Sequence, residues 1–165
     1  MDTMKKYLPI ALFVYAAAMI LANLSAATWG PKVTPINAFI LIGLDLTMRD
    51  WLHVRLKAWQ MGLLIAGTGL LTYALNPTAG MIAVASSVAF TAAALVDWAA
   101  FTRMKGSWLY RANGSNIAGA AVDSMLFPLI AFGAFMPWIV LMQFAAKVAG
   151  GAMWAAVLNP KKVAA

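Results

Sequence analysis

The chain has no cysteine, no glutamate and a single histidine, His53. Without cysteine there is no disulfide and no thiolate metal site, and one histidine alone builds no convincing transition-metal centre. Charge is scarce as well: 10% of the 165 residues are charged, against about a quarter in soluble domains. No Ser–His–Asp arrangement, phosphate-cradling glycine loop or paired-carboxylate hydrolase pattern is apparent, so neither an enzyme nor a bound cofactor is expected.

What fills the chain is apolar. Hydrophobic residues make up 64% of it and the mean hydropathy is +0.82, which places it outside the soluble class and among all-α integral membrane proteins. A helix needs about 20 residues to cross the hydrocarbon core. Six such segments with short loops use nearly all of residues 1–165, as one transmembrane domain. They are expected at about 7–29, 35–52, 58–75, 79–100, 116–135 and 137–158. Gly30-Pro31 stops the first and Asn76-Pro77 makes a turn after the third. The second is cleanly apolar only over 36–44, so it is short, broken, or lined by protein. A polar stretch from 102 to 116, with Arg103, Lys105 and Arg111, is expected between the fourth and fifth. Lys5-Lys6 ahead of a long apolar run resembles a signal peptide, but no mature domain follows it, so the run reads as a retained first helix.

A net charge of +7 raises nucleic acid as a partner, and placement argues against it. With six helices, Lys5, Lys6, Arg55, Lys57, Arg103, Lys105, Arg111, Lys161 and Lys162 fall on one side. Only Lys32 falls on the other; Arg49 and Lys147 lie within segments. Cytoplasmic loops carry such an excess of Lys and Arg. The expectation is a multi-pass protein of the inner (plasma) membrane with both termini cytoplasmic, its basic residues facing the lipid bilayer surface.

Four of the five aspartates, Asp45, Asp50, Asp97 and Asp123, fall in or at the edges of expected helices. Together with Arg49 and Lys147, left unpaired in lipid, they would cost on the order of 10 kcal/mol. They must therefore pair, or face a wet cavity or the bundle interior. Asp45 and Arg49 are four apart on one face, either a self-neutralising pair near the cytoplasmic edge or part of a functional network. Asp50 points to another face. Asp97, in the last turn expected for the fourth helix, reads as reaching cytoplasmic water or Arg103. Asp123 and Lys147 lie too deep to snorkel, so they are either an ion pair across neighbouring helices or part of a substrate site, and the site reading is favoured. Asn23 is a lone amide of the kind that holds helices together. Gly62, Gly67, Gly69, Gly119, Gly150 and Gly151 permit close helix packing.

The string Asp45-Leu46-Thr47-Met48-Arg49-Asp50 resembles the D-L-T-x-R motif on the second helix of the queuosine-precursor transporter family, also called the vitamin uptake transporter (VUT) family. Further features follow in order. Ala22-Asn23 stands at the end of the first helix; Arg111 and Ser115-Asn116 precede Gly119, Asp123-Ser124 and Phe127; Lys147 is followed by Pro160. The chain is shorter than typical members and has Ala120 where relatives often carry an amide. The resemblance implies a six-helix bundle similar to the substrate-binding subunits of energy-coupling-factor (ECF) transporters. It implies import of a 7-deazaguanine base such as 7-cyano-7-deazaguanine, a queuosine precursor. A buried carboxylate can accept two adjacent N–H groups of a guanine-like edge, and the flat ring suits aromatic walls. On this basis Asp123, Asn116, Lys147 and Asn23 are expected to bind substrate, and Asp45, Arg49 and Asp50 to form a gate or coupling network.

Other readings remain at this point. A substrate-binding subunit of an ECF-type vitamin transporter would need a docking surface, for which Ala16, Ala17 and Ala18 give slight support; a homo-oligomer is also open. A non-transport membrane assembly protein would tolerate loss of Asp123 and Lys147 together.

Overall fold

The structure, a computed structural model, describes residues 7–53 and 55–158, without the side chains of residues 53 and 58. Lys5, Lys6, Pro160, Lys161, Lys162 and the His53 side chain lie outside the described residues. Among the described residues there is no strand.

Helix α1 spans Leu8–Trp29, with Pro9 in its first turn, where a missing N–H costs nothing. Gly30 follows at φ 71°, a left-handed conformation open to glycine. The chain then stays helical through a 3-10 turn, Gly30–Val33, a short helix α2, Thr34–Asn37, a π-helical turn, Ala38–Ile42, and helix α3, Gly43–His53. This second run folds back along α1, since Asn37 Nδ2 donates to the Ala22 carbonyl at 3.2 Å and to Ser25 Oγ at 2.7 Å. The stretch from 8 to 52 is thus one 45-residue apolar helical run bent into a hairpin with two arms. The sequence places a stop at Gly30-Pro31, and helix α1 does end at Trp29; Gly30 turns the chain before the helical run resumes.

Helix α4 spans Ala58–Leu75. Asn76 accepts from the Thr78 backbone N–H at 3.1 Å and opens the turn into α5, Gly80–Arg103. Helix α6, Trp108–Phe132, is capped at its start by Ser107 Oγ and ends at Gly133 with φ 65°. It begins about two turns before the expected 116, because Arg111, Asn113, Ser115 and Asn116, which read as a polar loop, form its first turns. Arg111 is kept there by stacking on Phe101, 4.0 Å from the ring centre, and by donating to the Phe101 carbonyl at 3.0 Å. Helix α7 spans Pro137–Val157.

The arms close into a ring: α1 packs on α3 and α4, α4 on α5, α5 on α6, α6 on α7, and α7 back on α3 and the π turn. Among the described residues, four helical runs are long and apolar enough to cross a membrane (8–52, 77–103, 108–132 and 137–157), with α4 a shorter apolar helix. Large apolar side chains such as Phe13, Leu63, Leu70, Leu95 and Trp138 point outward. The interior holds polar groups and small residues beside an apolar cluster that includes Tyr15, Met19, Leu46, Leu52 and Phe90. Apolar faces outside and hydrogen-bonded polar groups within fit a lipid surround.

The tightest seam lies between α7 and the second run. A Cβ at Gly43 would sit 2.7 Å from the Gly150 carbonyl carbon, and one at Gly150 would overlap the Phe39 carbonyl. Thr47 Oγ1 donates to Gly151 O at 3.1 Å, and Trp154 Nε1 donates to Ile40 O, within the π turn, at 3.0 Å. Close backbone approach of this kind depends on glycine. Gly150→Ala should lower stability in detergent by about 1–3 kcal/mol through overpacking. Gly62→Ala, where a Cβ meets nothing within 4 Å, should be neutral or stabilising, and thermal unfolding of the two variants compares them.

Candidate functional site

Lys147 is the centre of the polar interior. Its ammonium is 2.7 Å from Asp123 Oδ2 on α6, and it donates to Ser124 Oγ at 3.1 Å and to Gln143 Oε1 at 2.9 Å. An ammonium has three donors, and here three acceptors meet them. Gln143, one turn before Lys147 on α7, passes the connection on. Its Nε2 donates to Thr34 Oγ1 at 2.9 Å, and Thr34 donates to the Pro31 carbonyl at 2.7 Å. Lys147 and Asp123 are only 2% and 3% exposed, so water does little to screen their attraction.

Asn23 on α1 stands across from this pair. Ser86 on α5 donates to Asn23 Oδ1, and Asn23 Nδ2 reaches Thr72 Oγ1 on α4 at 3.4 Å. Between the two groups lies a narrow cleft enclosing about 310 Å³ not filled by atoms, part of it open to solvent. Asn23, Thr34, Asn37, Ser86, Asp123, Gln143 and Lys147 line it, with Phe90 and Phe127 as aromatic walls. Its enclosed free room suffices for about one or two water molecules. The cleft is therefore narrow as it stands, and the Asp123–Lys147 pair forms part of its lining.

Across the Phe90 wall of the cleft lies a second charged group. Arg49 Nη2 is 2.9 Å from Asp45 Oδ2, one turn earlier on α3, with the Tyr15 hydroxyl facing both residues. The guanidinium lies over the Phe90 ring, 5.6 Å from its centre, so Phe90 is a wall shared by the cleft and this group. Asp50 accepts from Ser115 Oγ at 3.4 Å and faces Asp97 on α5.

The expected site residues are thus brought together in part. Asp123, Lys147 and Asn23 line one cleft; Arg49, paired with Asp45, lies over its Phe90 wall, whereas Asp50 is not among the lining residues and meets Ser115. Asn116 does not line the cleft. It is buried against Gly151, with its Nδ2 3.2 Å from where a Cβ there would be, and neither amide atom has a hydrogen-bond partner. Asp97 does not reach water: α5 continues to Arg103, and Asp97 is buried well inside it. Sequence reasoning passed over Gln143, Thr34, Ser86 and Phe90. Gln143 had a signal, a lone amide four residues before an intramembrane lysine; the others are small or common residues whose importance comes only from where the helices meet.

The family model described as "Putative vitamin uptake transporter" matches residues 9–158. The chain belongs to the vitamin uptake transporter family. No curated protein and no solved structure matches the chain. A multi-pass transporter of a small molecule accounts for apolar outer faces around a polar, enclosed centre, which a bundle needing only stability would not require.

In this transporter the Lys147–Asp123 pair is a point of vulnerability, because removing one partner strands a buried charge. Lys147→Met should cost about 3–5 kcal/mol of stability. Adding Asp123→Leu should recover more than half of that, and a double-mutant cycle by thermal unfolding measures the coupling.

Proposed function

We propose that this member of the vitamin uptake transporter family imports a queuosine precursor, 7-cyano-7-deazaguanine or a related 7-deazaguanine base, across the inner membrane into the cytoplasm. The observation that carries the proposal is the Asp123–Lys147 pair at an aromatic-walled cleft bordered by amides. A guanine-like base offers two adjacent N–H donors beside a carbonyl. Asp123 suits the donor edge, and Lys147 suits the carbonyl, keeping Ser124 and Gln143 as its other acceptors. Asn23 would meet a further ring edge, and Phe90 and Phe127 would cover the ring faces. Asn116, buried against Gly151 with both amide atoms unpartnered, would come within reach as the cleft widens. Asp45, Arg49 and Asp50 would act as gate or coupling network, joined to the cleft through the Phe90 ring that Arg49 covers.

Thermal unfolding of the detergent-purified protein tests the substrate. A 7-deazaguanine at a hundredfold over its dissociation constant should stabilise the fold by about 2.7 kcal/mol. Asp123→Asn should remove that shift and abolish uptake while leaving expression intact. A shift with a vitamin and none with any deazaguanine would replace the substrate assignment.

The proposal includes six membrane crossings, with the 8–52 hairpin counted as two and α4 as one, and both termini cytoplasmic. The absence of cysteine makes this testable without background. A single cysteine at Lys32 should be labelled by an impermeant maleimide from outside intact cells. One at Lys57 or Lys105 should be labelled only after the cells are opened. Labelling of Lys105→Cys from outside would overturn the topology.

A further inference from the structure

A lysine ammonium is a point charge on a flexible stem, and its direction is set by the acceptors around it. Lys147 has three: Asp123 at 2.7 Å and Ser124 at 3.1 Å from α6, and Gln143 at 2.9 Å from α7 itself. Side chains lean toward the start of their helix, which brings the ammonium to the level of Gln143, one turn earlier. With all three donors engaged, one acceptor has to yield before Lys147 can meet a ligand carbonyl. Asp123 and Gln143 line the cleft and Ser124 does not, so the choice lies between those two.

Which of them yields decides what the cleft reads. If Asp123 yields, its carboxylate is released to meet donors on the ligand. If Gln143 yields, Asp123 stays on Lys147 and its carboxylate is not released.

Gln143 is anchored by bonds on its far side. Thr34, the first residue of α2, gives its one hydroxyl proton to the Pro31 carbonyl at 2.7 Å. Its oxygen can then only accept, and Gln143 Nε2 donates to it at 2.9 Å. An ammonium can only donate. The Gln143 amide therefore has one admissible orientation, nitrogen toward Thr34 and oxygen toward Lys147. The chain runs one way, from Lys147 through Gln143 and Thr34 to a carbonyl in the Gly30–Val33 turn. Lys147, Gln143 and Thr34 are all buried, so drawing Gln143 away would strand polar atoms out of reach of water.

We propose that Gln143 and Thr34 are positioning residues that set the specificity of the cleft. Anchored to the Pro31 carbonyl, Gln143 keeps its place on Lys147, and an incoming carbonyl has to displace Asp123. The freed carboxylate is tolerated only when the ligand brings N–H donors of its own. A ligand with a carbonyl alone is thereby refused. The chain stands on its contacts; its part in specificity rests on the transport reading above.

Nuclear magnetic resonance of the detergent-purified protein, its lysines labelled with heavy nitrogen, tests the chain without any substrate. A buried ammonium held by three acceptors exchanges protons slowly with water and should give a resolved Nζ signal at neutral pH, lost in Lys147→Arg. Thr34→Val, close in shape, should shift or broaden that signal, and Thr34→Ser, which restores the hydroxyl, should return it to its wild-type position. A wild type without the signal, or a signal that Thr34→Val leaves unmoved, would overturn the chain. Binding of 7-deazaguanine and of 7-deazahypoxanthine, which lacks the exocyclic amine, then tests specificity. The wild type should prefer the first by about tenfold or more, the worth of one stranded buried group. Thr34→Val should cut that preference several-fold and Thr34→Ser should keep it. A wild type that binds both equally, or an undiminished preference in Thr34→Val, would overturn the specificity role. The Nζ signal behaving as expected with neither base bound would uphold the chain while the substrate assignment fell, and the specificity role with it.

Discussion

An ammonium buried away from water must be given three acceptors or it will not stay charged, and much of the interior can be read as the means of providing them. Asp123 and Ser124 are consecutive on α6, so one short stretch of helix offers Lys147 both a carboxylate and a hydroxyl. Gln143 supplies the third acceptor from α7 itself and uses its amide N–H to hold Thr34, just after the turn out of α1. One cation thereby ties α6, α7 and the start of the second run. Asn23 does the same on the opposite wall without a charge, joining α1 to α4 and α5. Between hydrocarbon-facing helices there is no hydrophobic drive to associate, so such polar ties and close packing supply the cohesion.

Close packing is concentrated where it limits the polar centre. Gly150 and Gly151 follow Lys147 by one turn on α7 and meet Gly43 and the π turn. A π turn widens the helix and shifts its carbonyls outward, and here Ile40 O is met by Trp154 Nε1. The same helix therefore carries its closest backbone approach on one turn and a cation lining the cleft on the turn before it.

How much of this was legible in the sequence follows from how local each feature is. Apolar runs of helical length announced the helices, and Gly-Pro and Asn-Pro pairs announced turns. The i,i+4 spacing of Asp45 and Arg49 announced a pair that the structure holds at 2.9 Å. The depth of Asp123 and Lys147 in their segments marked them as partners or ligands, and the structure has them in contact. Polarity misled at the start of α6, where Arg111 and its neighbours looked like a loop although stacking on Phe101 and capping by Ser107 keep them helical. It misled again at Asp97, which looked near water only because the end of α5 was set too early. The facing of Asp50 and Asp97, the orphaned amide of Asn116 and the role of Ser86 depend on how helices are rotated about their axes, which no single segment encodes.

A cleft lined by an ion pair has a consequence for transport. An empty carrier must also change conformation, and an unpaired carboxylate or ammonium moving through the bundle would draw water with it. If the proposed site is there, Asp123 and Lys147 satisfying each other would leave it electrically quiet when empty. On the proposed reading, a neutral base with adjacent donors and a carbonyl would replace that mutual contact one hydrogen bond at a time, Asp123 turning to the donors while Lys147 keeps Ser124 and Gln143. Loaded and empty forms would then differ little in electrostatic cost, and the selectivity would lie in the geometry of the exchange. A solute with a carbonyl but no paired donors would strand Asp123, which costs far more than the loss of one ordinary hydrogen bond.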